Sequence, residues 1–270
     1  KQNNSRVYKG CFIIKFFKVW QDINLYILPI FKVNIGVKME YVSIVVIILF
    51  IVVIKFALNV KLKDIKKIKE IGFNKELNDI TNKLPENTEI CKDILKMIDN
   101  NTVNIKEEKN IKSSLYIVAT NSIIIANIKD TFTRVQTIAH ECLHSVQNKR
   151  TLMFNFIFSN IYLIYFVLIT VLTIFKIVNN PLVHIFILIF ISFIYYMVRS
   201  YLEIDAMTKA KYLAKEYIES KNIIKQEEID KILNGYTNLN ELGIKFTCFM
   251  LAFNSMIKLL IYCIVAVVIY

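Results

Sequence analysis

Four stretches of this chain are apolar for long enough to cross a bilayer, and polar segments of unequal length separate them. The first covers residues 41–60, which matches the roughly 20 residues a bilayer core requires, with one lysine, Lys55, near its end. The second, 152–175, is almost wholly apolar. Lys176, Asn179, Asn180 and Pro181 then form a tight hairpin, and the third stretch, 182–198, returns. The fourth, 246–270, is interrupted by Asn254, Ser255 and Lys258, and is read as a span rather than an interfacial helix.

Between the first and second stretches lies a polar region, 61–130. Ile65, Ile68 and Ile71 recur at helical spacing. Asn87 or Thr88 is placed to cap a second short helix through Asp99, with Ile90, Ile94 and Ile98 on one face. Residues 100–113 read as a charged loop. Residues 115–120 and 123–127 are rich in β-branched side chains and predict two short strands joined at Asn121-Ser122. Asp130 or Thr131 is placed to cap a helix running to about Asn148. After the third span a helix should continue through Ser220, and 221–243 reads as a polar connector with a short helix near 227–233.

Charge orients this pattern. Lys61, Lys63, Lys66, Lys67 and Lys69 follow the first span, while Lys149, Arg150 and Arg199 flank the far ends of the hairpin pair. By the positive-inside rule all of these ends are cytoplasmic. The composition agrees with a membrane protein: 270 residues are 55% hydrophobic, and the mean hydropathy is +0.46. With only 5 Gly and 3 Pro, long helices meet few breakers. The net charge of +12 does not mark a nucleic-acid binder, because the lysines cluster beside apolar runs and not on an aromatic-interleaved patch. Abundant Ile, Lys and Asn also reflect the bias of AT-rich genomes. Five cysteines, Cys11, Cys91, Cys142, Cys248 and Cys263, show no framework spacing and are expected as reduced thiols.

Residues 1–38 fit this plan poorly. Lys15, Lys18 and Asp22 break their apolar stretch and no small-residue cleavage site follows. Gly36-Val37-Lys38 can be encoded by a purine-rich stretch resembling a ribosome-binding site, so the native chain is expected to start at Met39, with 1–38 as an upstream extension. The expected organisation is then a span at 39–60, a cytosolic domain at 61–150, a transmembrane hairpin at 151–200, a cytosolic helix and connector at 201–245, and a last span at 246–270.

The chemistry is concentrated in His140-Glu141-Cys142-Leu143-His144, an H-E-x-x-H sequence on a predicted helix. Residues four apart share a helix face, so both imidazoles can point at one ion, and Glu141 can reach a water bound to it. The chain has 3 histidines, two of them here. Cys142 points away from them and is read as packing. A catalytic zinc needs a third protein ligand and an open position. His184 sits near the outer end of the third span and is read as an interfacial or hydrogen-bonded side chain. Glu203 emerges from the same span on the side that carries the motif, and Ala206, Ala210 and Ala214 form a small-residue stripe that lets its helix approach the motif helix. Asp205 and Gln147 are candidates to orient a ligating imidazole. Glu141 is the expected general base for attack of zinc-activated water on a peptide carbonyl. Arg199, Tyr201 and Tyr212 are the candidates for an oxyanion donor. The strand at 123–127 is a candidate for edge pairing with an extended substrate.

The segment from Thr137 to Gln147 is similar to the H-E-x-G-H-x-x-Q region of the bacterial neutral zinc metallopeptidases, the YugP-like membrane proteins. Leu202-Glu203-Ile204-Asp205-Ala206 resembles that family's E-F-D-A segment after a transmembrane pair. The order of elements over roughly 39–270 agrees. More distantly the chain resembles the HtpX and CAAX-prenyl proteases. The resemblance implies a gluzincin-type membrane metallopeptidase in the bacterial cell membrane, multi-pass, with a zincin-like cytosolic domain, one zinc ion held by His140, His144 and Glu203, and an active site facing the cytoplasm. The expected fold class is therefore mainly α, a polytopic membrane protein with about four transmembrane helices and a small α+β domain. The family commonly has glycine where Leu143 stands, and leucine requires a roomier neighbour. The implied partners are the lipid bilayer and a protein or peptide substrate, membrane-associated or free, with no nucleic acid; nothing in the pattern specifies an oligomer. Two other readings are a catalytically inactive membrane scaffold and a site-2-type intramembrane protease. Arg134, Gln136 and Gln147 on the motif helix, and the absence of an L-D-G segment, argue against the latter. A transporter would need more ionisable groups within the spans than Lys55, Lys258 and His184.

Overall fold

A computed structural model describes residues 39–111 and 113–270; the expectation about the first 38 residues lies outside them. The described chain is mainly helical, with one small sheet. In order it comprises α1 (Met39–Ala57), α2 (Leu62–Gly72), α3 (Lys75–Thr81), α4 (Asn87–Met97), β1 (Asn104–Glu108), β2 (Leu115–Ile117), β3 (Ser122–Ala126), α5 (Arg134–Val146), α6 (Lys149–Ile174), α7 (Pro181–Lys221) and α8 (Gln226–Ile269). Four of these helices, α1, α6, α7 and α8, are long and apolar enough to cross a membrane. They carry large apolar side chains outward, among them Val53, Ile164 and Phe190, each more than half exposed. That pattern suits lipid as the surrounding solvent.

Two cores follow from the two solvents. One joins the spans through Ile47, Tyr162, Ile185, Leu259 and Tyr262. The other fills the polar domain through Ile90, Ile94, Ile123, Ile138, Tyr217 and Tyr236. Leu143 packs at the edge of this second core, the room its bulk requires. α7 and α8 belong to both cores, so the polar domain is tied to the membrane by continuous helix.

Local sequence explains most element ends. Asn148 accepts hydrogen bonds from the backbone N–H groups of Arg150 and Thr151, and so starts α6 at the membrane edge. Lys176 adopts a left-handed conformation, φ 58°, to close the hairpin, and Pro181 occupies the first turn of α7. Asn222, also left-handed, ends α7.

Several expectations are corrected. The region expected as a charged loop contains β1, which pairs in parallel with β3 from Asn104↔Ser122 to Glu108↔Ala126. Its side chains are mostly exposed, so no alternation announces it; the ladder to β3 supplies the order. A further short helix, α3, precedes α4, capped by Asn74 accepting from Leu77 N–H at 3.1 Å. The motif helix begins after Thr133, not at Asp130 or Thr131. There the Arg134 guanidinium is fully buried and donates to the carbonyls of Thr81 and Leu84, each at 2.8 Å, and to the Asn87 side chain at 3.2 Å. It thereby adds a charged donor to carbonyls at and just beyond the C-terminus of α3. The expected connector at 221–243 is instead helical from Gln226 and merges with the last span. Asn234-Gly235 resembles a turn in sequence, but a Cβ on Gly235 would lie 2.9 Å from the Phe132 ring. Glycine is there for close approach of α8 to Phe132, on whose carbonyl the Tyr236 hydroxyl closes at 2.9 Å.

Candidate metal centre

α5 and α7 meet along the alanine stripe. Ala206, Ala210 and Ala214 are all buried within about 1% of completely, which lets the two helix backbones approach closely. α5 thereby presents His140 and His144, four residues apart, to the one turn of α7 that carries Glu203. His140 Nε2 and His144 Nε2 are 3.0 Å apart. Glu203 Oε2 lies 3.3 Å from His140 Nε2, and Oε1 lies 3.7 Å from His144 Nε2. Four-coordinate metal with N and O ligands at about 2.0–2.2 Å implies ligand–ligand edges of about 3.3–3.5 Å. The observed separations, which reach a different Glu203 oxygen from each imidazole, are of that order. Two imidazole lone pairs at 3.0 Å repel unless a cation or a proton lies between them, so the donor set itself fits an ion. His140, His144 and Glu203 are also the one His/Cys/Asp/Glu group among the described residues whose ligand atoms converge in this way.

The surrounding contacts hold the ligands in place. His144 Nδ1 lies 2.8 Å from Gln147 Oε1. Gln147 in turn donates through Nε2 to Asp205 Oδ2 at 3.0 Å and to the Leu202 carbonyl at 2.9 Å. This assigns the Gln147 oxygen as acceptor, puts the proton of His144 on Nδ1, and leaves Nε2 free to bind a metal. Asp205 therefore acts on His144 through Gln147 and not directly. It is also held by Lys209 at 2.6 Å. Arg199 Nη2 contacts Glu203 Oε1 at 2.7 Å. Burial raises the Glu203 carboxyl, but hydrogen bonds with His140 and His144 and the Arg199 cation outweigh it and hold the group well below the usual carboxylate range.

Glu141 lies beside the triangle with 7% of its surface exposed. Burial pushes its carboxyl up, against the downward pull of His140 and His144 and of a hydrogen bond from the Tyr116 backbone. A carboxylate moved toward neutrality by burial has the properties of a general base. Cys142 faces the other way, fully buried, with its sulfur 3.7 Å from that of Cys91. Cys91, Cys142, Cys248 and Cys263 are all free thiols. His184 is bonded to the Tyr165 hydroxyl at 2.8 Å within the spans and takes no part in the cluster.

A cleft of about 350 Å³ opens onto the triangle. Arg199 lines it, but Tyr201 and Tyr212 do not. Tyr201 is two residues before Glu203 and Tyr212 nine after, which turns each of them about 160–180° around α7 from the carboxylate. Both are more than half exposed, and neither is an oxyanion donor in this geometry. The strand expected to pair with substrate is a different one. The sheet order is β1-β3-β2, so β3 is central and both of its edges are paired. The edge strands are β1 and β2, and residues 114–118 around β2 line the cleft. Asn155, which stands inside an apolar run, lines it as well. A lone amide in a membrane stretch was the signal available.

No family model, no curated protein and no solved structure matches this chain.

Proposed function

We propose that the chain is a membrane-embedded zinc metalloendopeptidase. The observation that carries this reading is the convergence of His140, His144 and Glu203 on one point with Glu141 beside it. The motif's resemblance to the gluzincin-type membrane peptidases supports the same reading. Zinc fits a donor set of two imidazole nitrogens and one carboxylate better than magnesium or calcium, which favour all-oxygen shells. When bound, zinc acidifies a coordinated water and polarises a substrate carbonyl.

The chain's own residues supply the rest. Glu141 takes a proton on its carboxylate and returns it to the leaving amine. Arg199 holds Glu203 and lines the cleft, which makes it the remaining candidate to steady negative charge on a carbonyl oxygen. β2 offers a strand edge along which an extended peptide can pair. The scaffold reading accounts for none of this convergence. The site-2-type reading is disfavoured because α5 sits in the core of the polar domain rather than among the spans.

Purified protein is expected to carry about one zinc per chain and to cleave unfolded polypeptides. Chelation should abolish cleavage and one equivalent of zinc should restore it. Cleavage that survives complete removal of metal, measured by mass spectrometry of both metal and peptides, rejects the reading. The charge pattern supports a site on the cytoplasmic face, and the family resemblance supports a bacterial cell membrane. A cysteine introduced at Asn179, in the hairpin around 176–181, should accordingly react with a membrane-impermeant thiol label in intact cells; reaction only after lysis inverts the orientation.

A further inference from the structure

The cleft over the metal centre has a wall that belongs to the membrane. Leu152, Asn155, Phe156 and Ser159 line it. They fall at helical spacing on one stripe of α6, a helix long and apolar enough to span. Ser159 is nine residues beyond Arg150 along the helix axis, about 13 Å. The cleft therefore descends below the charged rim of the helix. Phe156 lines the cleft and is 43% exposed, so its ring is open to a molecule in the cleft.

Asn155 is the polar side chain in this wall with an unpaired atom. It is 8% exposed, and its side-chain oxygen is buried without a hydrogen-bond partner. Ser159, by contrast, returns its hydroxyl to the Phe156 carbonyl at 3.0 Å. A buried amide left unpaired costs about 1–3 kcal/mol, and within a span a leucine would avoid that cost. The expense is explained if a ligand supplies the partner. An amide side chain carries one acceptor and one two-proton donor, which matches the carbonyl and N–H of a peptide backbone. Residues 114–118 around the edge strand β2 line the same cleft, so a peptide bound in it can meet both that strand and Asn155.

We propose that Asn155 binds the backbone of the substrate, and that the substrate is the juxtamembrane segment of a membrane-anchored protein, entering along the first turns of α6. This rests on the peptidase reading for its chemistry but not for its binding geometry. A chain leaving the bilayer passes Phe156 and Asn155 before it reaches the metal triangle. At about 3.3 Å per extended residue, the 13 Å of α6 corresponds to roughly four residues, so the bond presented to the centre lies about that far from the substrate's own span.

The test uses the full chain in nanodiscs and two anchored reporter peptides. In one, the reporter sequence abuts a transmembrane helix. In the other, a flexible Gly/Ser linker of about 30 residues, roughly 30 Å in mean reach, separates them. Both partition equally into the disc, so a difference reports the position of the segment. Fluorescence binding is measured on the zinc-loaded Glu141→Gln form, which holds peptide without turnover. The abutting reporter should bind about tenfold more tightly than the spaced one. Adding Asn155→Leu should remove about tenfold of that affinity, with zinc content unchanged and a melting temperature no lower than before. Equal binding of the two reporters overturns the substrate class. Undiminished binding by the Asn155→Leu form overturns the role of Asn155, and so does a loss of binding that comes with lost zinc or a lowered melting temperature. Expected binding with no cleavage of the abutting reporter by the wild-type protein supports the recognition and rejects only the peptidase chemistry.

Discussion

Replacing Glu203 with glutamine is expected to weaken zinc binding by about a hundredfold or more. Structural zinc sites with four ligands are worth about 10–16 kcal/mol, so one ligand accounts for about 3 kcal/mol, which is roughly a factor of a hundred in affinity. Glutamine preserves the volume of the side chain and an oxygen for Arg199, now 2.7 Å from Oε1. It removes the anion that balances the ion's charge. The cores are untouched, so the helical content and melting behaviour of the metal-free protein should change little. The check is a competition titration against a chromogenic chelator. Unaltered affinity in the glutamine form means that the carboxylate is not a ligand, and the convergence of α5 and α7 would need another explanation.

Glu141→Gln is expected to have the opposite profile. Zinc should remain at about one per chain, while peptide hydrolysis falls by at least the 10²–10⁴-fold that a positioned general base contributes. Glutamine retains an acceptor for the Tyr116 backbone N–H that now reaches the carboxylate, so the cleft wall should stay in place. Wild-type turnover in this variant would remove Glu141 from the mechanism. Comparing the membrane proteomes of cells that carry wild type or the glutamine form then reveals substrates as proteins that persist uncut in the latter.

The spans, the hairpin and the motif helix were legible because each is written in local pattern. Runs of apolar residues announce α1, α6 and the start of α7, and the four-residue interval between His140 and His144 fixes a shared face. Glu203 was found from charge topology, since the lysines and arginines place both helix ends on one side. What escaped was decided by distant partners. β1 is a nearly all-exposed strand whose order comes from its ladder to β3. The unbroken course of α8 depends on Phe132 receiving Gly235. The correct edge strand follows from the parallel return of β1, which covers the side of β3 that would otherwise be open. Tyr201 and Tyr212 were grouped with Arg199 by proximity along the chain, but helix phase separates them. Asn155 was overlooked because hydropathy averages over a window, and one amide among phenylalanines and isoleucines does not change the average.

The 41 residues of α7 contain no glycine, and no proline after the first turn. The hairpin that precedes Pro181 and the carboxylate of Glu203 are therefore joined by about 33 Å of unbroken helix, a stiff rod with no joint to absorb strain. The triangle tolerates little sliding, for one residue's rise is about 1.5 Å. A thinner or thicker membrane that drew α7 along its axis would pull Glu203 out of register with the imidazoles on α5. Lipid thickness would in this way be felt at the proposed metal site.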